Sequence, residues 1–451
     1  MNKSDKREQG TYLMDIDLAW KLVLDPENIF WGLLNKDEQG AYLPADFLHL
    51  YEQQKRQLDR QIADFRFTTA LNSIYIDPTD RCNAHCPYCY IPPEIRKHGT
   101  QMSAGMLDES LRKIKAYFKD SKKKPVIIFH AAEPFLVKEL LFDAMRNYRT
   151  SFLFGIQTNA TLLEKKDVDF IKAVRAGVGI SLDAPGKALN NRLRSTGNGN
   201  GNFDAAMQAL DWFDGYEGLS VITTVTRHNV TVLDELVRFL HVKKVSSLLL
   251  NPVRLTMKTA VSLKPDDTLF ADNLIRAVET AMDLTEKTGR QIVVGNVANT
   301  ILAIVAPAAR RMMCDISPCG AGRTFLTITA NGDMIPCGEF IGFKEFSGGN
   351  ILTSSIEHAV QSDAFKRVRE RTVEAIDECK TCAFRNICGA PCPAELHARG
   401  DMYQKARSCE FYKKMIRYAF QLIARDKVKY LLRSDAMRRM EYEYLYAQSA
   451  L

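Results

Sequence analysis

The chain has 451 residues, 46% hydrophobic and 25% charged, which supports two or three packed domains and excludes long disorder. No apolar run reaches the roughly twenty residues that a membrane helix needs, and the charged start at residues 1–8 has no apolar segment of the secretory kind. The net charge of +7 is spread along the chain, with tight runs only at Lys122–Lys124 and Arg438–Arg439, so nucleic acid is not an expected partner. A cytoplasmic protein with reduced thiols is expected, with no membrane partner.

In chain order, residues 1–72 read as mainly helical and polar, with aromatic anchors at Trp20, Phe30 and Trp31 and no clear three-stranded start. A peptide-recognition role is the expectation for this segment. From Ser73 to Pro252 short apolar runs alternate with amphipathic stretches. Strands are predicted at 74–76, 126–129, 152–156, 178–182, 221–225 and 248–250. Helices are predicted at about 103–119, 137–148, 164–176, 203–214 and 231–241, with another near 266–288. Six β/α repeats call for a parallel sheet but are too few to close an eight-stranded barrel, so the expected α/β fold is an open partial barrel over 73–290. A second domain is expected over 291–415 and a helical segment over 416–451. Gly197–Gly201 reads as a turn.

The eleven cysteines carry the chemistry. Cys82, Cys86 and Cys89 lie together directly after the first strand of the repeats, at the edge where parallel α/β folds gather ligands. The other eight lie between Cys314 and Cys409. Short, irregular spacings in a reduced protein point to a metal or cluster cage rather than to disulfides. Three thiolates at C-x3-C-x2-C can hold three irons of a four-iron cluster and leave the fourth open for a reactant. A zinc knuckle would need a fourth ligand, and His85 and His98, the close candidates, give no familiar zinc spacing.

The chain resembles the radical S-adenosylmethionine (SAM) superfamily, whose signature C-x3-C-x-aromatic-C is matched by Cys82, Cys86, Tyr88 and Cys89. The resemblance implies that the open iron chelates the amino and carboxylate groups of SAM. One electron then cleaves the sulfonium, and a 5'-deoxyadenosyl radical takes hydrogen from the substrate. His130-Ala131-Ala132-Glu133-Pro134 stands where the family has Gly-Gly-Glu-Pro facing the SAM amino group. Both glycines are alanines here, and the role is expected to survive through main-chain oxygens and Glu133. Gln157-Thr158-Asn159 matches the family's Gln-Thr-Asn-Gly, with Ala160 in place of glycine. Ser181-Leu182-Asp183 matches the stretch that contacts SAM ribose and carboxylate, and Arg194 is the expected carboxylate partner.

The later cysteines, Cys319, Cys337, Cys379, Cys382, Cys388, Cys392 and Cys409, with Asn331-Gly332-Asp333 before Cys337, resemble the SPASM domain of peptide- and protein-modifying radical SAM enzymes. Cys314 stands just upstream, as in anaerobic sulfatase maturases. The resemblance implies one auxiliary [4Fe-4S] cluster on Cys314, Cys319, Cys337 and Cys392 and a second on Cys379, Cys382, Cys388 and Cys409. With the SAM-binding cluster this makes three. Taken alone, C-x2-C-x5-C-x3-C also suits a zinc ribbon. Fully ligated clusters suit electron relay, and a reductant such as flavodoxin or ferredoxin is implied. Sulfatase maturases carry a catalytic Asp directly after the third auxiliary cysteine, whereas here Gly338 is followed by Glu339, the candidate substitute base. The expected function is installation of an oxidative crosslink (thioether, carbon–carbon or carbon–oxygen) or a related change in a small ribosomal precursor peptide. The alternatives are a side-chain oxidase of the sulfatase-activating type, a peptide epimerase and, from other classes, a multi-cluster electron carrier or a zinc-dependent binding module.

Overall fold

A computed structural model describes residues 6–8, 10–36, 45–197, 199–310 and 312–432. The N-terminal segment departs from the helical expectation. It is a four-stranded antiparallel meander of β1 (Lys6–Glu8), β2 (Thr11–Asp15), β3 (Trp20–Leu24) and β4 (Trp31–Asn35), followed by a helix over Ala45–Phe67. Alternation was present in the sequence. Tyr12, Met14 and Ile16 are buried on one face, and two aspartate turns punctuate the strands. The Asp17 carboxylate accepts from the Ala19 and Trp20 amides at 2.9 Å, and that of Asp25 accepts from Glu27 at 2.8 Å.

The meander packs against later parts of the chain. Tyr12 donates to the Thr381 carbonyl at 2.6 Å, Asn386 Nδ2 to that of Pro26 at 2.8 Å, and Trp31 Nε1 to that of Ile304 at 3.1 Å. Two of these contacts fall on the segment that carries Cys382 and Cys388.

The six predicted strands of the repeats are all present, as β5 (Ser73–Ile76), β6 (Val126–Phe129), β7 (Leu153–Thr158), β8 (Gly177–Ser181), β9 (Leu219–Val225) and β10 (Ser247–Pro252). They pair in parallel and in chain order, each followed by a helix. Sequential order without reversal is that of a barrel rather than of a doubly wound sheet, and the ends do not pair with each other. The fold is therefore an open partial barrel. Ile74, Ile76, Ile127, Phe129, Ile180 and Val221 are fully buried, which explains the near-continuous apolar runs.

The sheet extends beyond the predicted repeats at both ends. β11 (Val293–Val294) adds in parallel to β10, beyond the expected boundary at 290, because residues 291–305 form one more β/α unit with the helix Gly295–Val305. At the other end β12 (Phe325–Ile328) pairs in parallel with β5, and β13 (Met334–Ile335) returns antiparallel to β12. The second cysteine region is thus joined to the barrel sheet by hydrogen bonds. The helix Cys409–Ala424 runs across the expected boundary at 415, because its apolar face packs on the helix Asp267–Thr288, with Phe270 and Phe411 stacked at 4.2 Å. The predicted helical stretch from 433 to 451 lies outside the described residues. No helix among the described residues is long and apolar enough to cross a membrane.

Candidate active site

The loop that leaves β5 brings the first three cysteines over the strand ends. Backbone bonds hold it on both sides: His85 N donates to Ser195 O at 2.7 Å and Cys82 N to Arg96 O at 3.4 Å. Arg96 reaches back to the carbonyls of Ile91 at 3.2 Å and Ala84 at 3.3 Å. A tight turn closes the excursion at Gly99, where a Cβ would stand 2.3 Å from Ile95 O and 2.4 Å from Asp80 Cβ.

All three cysteines line a cavity of about 480 Å³. Tyr88, His130, Ala131, Ala132, Gln157, Asn159, Ser181 and Arg194, all named from the sequence as expected SAM contacts, line it too. So do Cys314, Cys319, Cys337, Cys392 and Glu339. Two expected contacts fall elsewhere. Glu133 and Asp183 are fully buried behind the wall. Glu133 accepts from Phe135 N at 3.1 Å, Thr158 Oγ1 at 2.7 Å and Asn159 N at 2.8 Å. Its oxygens are consumed in fixing the loop, and burial pushes its pKa up to about 7. Asp183 accepts from Tyr88 OH, from Thr224 N at 2.9 Å and from Arg194 Nη2 at 3.0 Å. The carboxylate that Arg194 holds is therefore Asp183. Both acids brace the loops around the cavity.

Sequence reasoning named Asn159 but missed Asn83 and Asn202, which with it tie these segments together. Asn83 and Asn159 bond side chain to side chain at 2.8 Å, linking the cysteine loop to β7. Asn202 Nδ2 bridges the carbonyls of Asn159 at 3.0 Å and Ser181 at 2.7 Å. The sequence held no signal for these ties, since it is burial in the fold that makes Asn159 and Asn202 find several partners. Asp77 was also missed. Its fully buried carboxylate stands 3.6 Å from His130 Nδ1 and is pushed up by burial, against the opposing effect of that histidine.

Ala131, Ala132 and Ala160 keep the left-handed backbone of the glycines they replace, with φ of 58°, 47° and 67°. An alanine held in this region carries strain, roughly 1–2 kcal/mol per residue. Ala132→Gly is expected to raise the unfolding free energy by about 1 kcal/mol. Denaturant unfolding checks this, and an unchanged or lower midpoint would count against strain at this turn.

Glu339 is a cavity residue, not a surface turn. Thr256 Oγ1 donates to it at 3.3 Å and Arg254 Nε stands 4.0 Å away. Burial pushes its carboxyl up while Arg254 pulls it down. At Gly338 an added Cβ would meet nothing closer than 3.6 Å, the nearest atoms being His130 Cε1 and Tyr90 OH. The absent side chain leaves room on the wall beside Glu339.

Cys379, Cys382, Cys388 and Cys409 lie away from this cavity, with Cys382 N bonded to Cys379 O at 2.9 Å and Cys388 N to Phe384 O at 2.8 Å. All eleven thiols are free. Burial pushes Cys82 and Cys392 up to about 12 and Cys89 and Cys379 up to about 11, so iron must displace protons on loading. Among the described residues, no three His, Cys, Asp or Glu groups meet as the ligands of one metal ion. A four-iron cluster spreads its thiolates over separate irons, so soft donors ringing a cavity suit it better than a point of convergence does.

Residues 76–240 match the radical SAM superfamily, and residues 319–383 match the iron–sulfur cluster-binding domain named SPASM. An uncharacterized protein of Archaeoglobus fulgidus is 43% identical over 93% of this chain and 96% of its own length. A cysteine-type anaerobic sulfatase-maturating enzyme of Clostridium perfringens is 23% identical over 77% of this chain and 96% of its own. The mycofactocin maturase MftC of Mycobacterium tuberculosis is 24% identical over 70% and 76%. Among solved structures, anSMEcpe with bound AdoMet superposes with a TM-score of 0.71 at 18% identity, covering 82% of this chain and 98% of that one. Streptococcus suis SuiB bound to its precursor peptide SuiA gives 0.59 at 14%, covering 90% and 100%.

Proposed function

This chain belongs to the radical SAM superfamily and carries a SPASM domain, and from that premise we propose that it installs an oxidative crosslink in a small precursor peptide. One observation carries the reading. The trio Cys82, Cys86 and Cys89 and the thiols Cys314, Cys319, Cys337 and Cys392 line the same cavity. A peptide segment held there lies between the site of hydrogen abstraction and an electron acceptor, which suits a reaction that removes two hydrogens and closes a bond.

Cys82, Cys86 and Cys89 are the proposed ligands of the SAM-binding cluster. Cys314, Cys319, Cys337 and Cys392 would hold one auxiliary cluster, and Cys379, Cys382, Cys388 and Cys409 the other. When bound, the clusters and SAM supply one-electron cleavage of a sulfonium, hydrogen-atom abstraction and removal of the remaining electron. The protein's own groups do the rest. Gln157, Asn159 and Ser181 present polar atoms at the strand ends, and the left-handed Ala131–Ala132 turn lines the same space. Apolar side chains such as Ile222, Leu249 and Phe325 close the wall against water. Glu339, aligned by Thr256 and Arg254, is the proposed acceptor of the substrate proton.

The likeness to SuiB bound to SuiA and to MftC supports a peptide substrate. Side-chain oxidation of the sulfatase-maturating kind is the second reading, favoured by the likeness to those enzymes and by a carboxylate, Glu339, on the cavity wall. Mass spectrometry of a short peptide encoded beside this gene, after anaerobic incubation with enzyme, SAM and reductant, separates the two. Loss of two hydrogens with a fragmentation gap between two residues is expected. Conversion of one Cys or Ser to an aldehyde, with no gap, would replace the crosslink by side-chain oxidation.

A further inference from the structure

Two arginines behind the cysteine-rich wall are the largest buried cations that the proposed mechanism does not use. Arg323 is 2% exposed and Arg371 is 1% exposed. Among the described residues neither is paired with a carboxylate, although an uncompensated charge is costly to bury. Arg323 follows the Cys319 turn, its amide donating to Gly320 O at 3.0 Å. Its Nη1 donates to the carbonyls of Phe65 at 2.7 Å and Thr68 at 3.3 Å, while Nε and Nη2 are buried with no hydrogen-bond partner.

Arg371 binds main chain on two sides. Its Nη2 donates to Ala390 O at 2.8 Å, between Cys388 and Cys392, and its Nε to Met402 O at 2.5 Å on the approach to Cys409. It therefore braces the segment that joins one proposed cluster to the other. Burial pushes the Arg323 guanidinium down to about 10, opposed by the nearby Cys319 thiolate, so it stays charged at neutral pH. Burial lowers Arg371 too, opposed by Cys319, Cys392 and Cys379, which belong to both proposed sets.

We propose that Arg323 and Arg371 are fixed counter-charges of the auxiliary clusters, Arg323 acting on the cluster at Cys319 alone and Arg371 on both. The Cys319 cluster, facing the cavity, is thereby held at the higher reduction potential. Reduction adds one electron to a cluster and no proton. A buried cation stabilises the more negative form, and low dielectric keeps the effect strong. Arg254, offset by Glu339, also faces Cys314, Cys319 and Cys392, and Lys413 and Lys405 face Cys409. Onto that balance the buried arginines add two charges beside one cluster and one beside the other, which makes the cavity-facing cluster the better electron acceptor. The inference rests on the reading of two clusters on eight thiolates.

The test uses the full chain carrying Cys82→Ala, Cys86→Ala and Cys89→Ala, so that only auxiliary clusters remain. Iron analysis comes first, and about eight irons per chain are expected. Content for one cluster or none would defeat the two-cluster reading itself, before any arginine is changed, and the inference with it. Dithionite titration followed by electron paramagnetic resonance should then show two one-electron steps. Arg323→Gln is expected to lower one step by about tenfold in equilibrium constant, or 59 mV, and to leave the other in place. Arg371→Gln should lower both, and Arg371→Lys, which keeps the charge, should restore most of the shift. Full iron with unmoved steps in the two Gln variants would overturn the proposal. So would an Arg371→Lys shift as large as that of Arg371→Gln, or failure of all three variants to retain iron, which would make the arginines scaffold alone.

Discussion

Cys86→Ala is expected to reduce 5'-deoxyadenosine formation to below detection. Cys86 is the middle ligand of the proposed SAM-binding cluster, and the histidine beside it, His85, is exposed to solvent. With two thiolates left, the cluster loses an anchored iron, and about four irons per chain should disappear while the auxiliary iron remains. Anaerobic incubation with SAM and dithionite, read by chromatography and iron analysis together, checks both parts. Continued formation of 5'-deoxyadenosine in this variant would remove the trio from the centre of the chemistry.

Asp183→Ala should be the most destabilising single change at the site. It removes the acceptor of Arg194, at 3.0 Å to each carboxylate oxygen, together with the partners of Tyr88 OH and Thr224 N. Arg194 is left buried without its counter-ion, a loss of about 3–5 kcal/mol. The damage reaches the cysteine loop, because Tyr88 lies between Cys86 and Cys89. A fall of about tenfold in SAM affinity is expected from the freed tyrosine and arginine. The double change Asp183→Leu with Arg194→Met should recover much of the stability, since a well-packed apolar pair can replace a buried ion pair, but not the affinity. Unfolding within 1 kcal/mol of the parent for Asp183→Ala would show that this ion pair is not the brace described here.

The parallel strands were legible because one face is fully buried and the other half-buried, which writes them as unbroken runs such as Val126-Ile127-Ile128-Phe129. The cysteine centres were legible because thiolate spacing is local. What escaped was whatever depends on partners distant in the chain. Glu133 and Asp183 were expected to touch SAM because they sit in the right motifs. Whether a motif carboxylate faces the cavity or the protein depends on Thr158, Asn159, Tyr88 and Arg194 supplying donors from behind, which spacing does not reveal. The N-terminal meander was misread for a different reason. Its strands are short, and the polar residues between them resemble a solvated helix unless the aspartate turns are weighed. Strand β11 has two residues and no periodicity to detect.

The pairing of β12 with β5 bears on how substrate gains access. Walking across the sheet from β6 through β5 to β12 and β13, β6 leads to His130 and β5 to the loop of the trio, while β13 returns antiparallel and leads to Cys337 from the other direction. The strand that leads to Cys337 is thus tied to the strand that leads to the trio through β12, across strand spacings of about 4.8 Å, and not by a linker. The halves cannot swing apart like jaws without tearing a hydrogen-bonded ladder. Whatever enters meets instead a slot of preset width, and the size of group that fits becomes a matter of which residues line the gap.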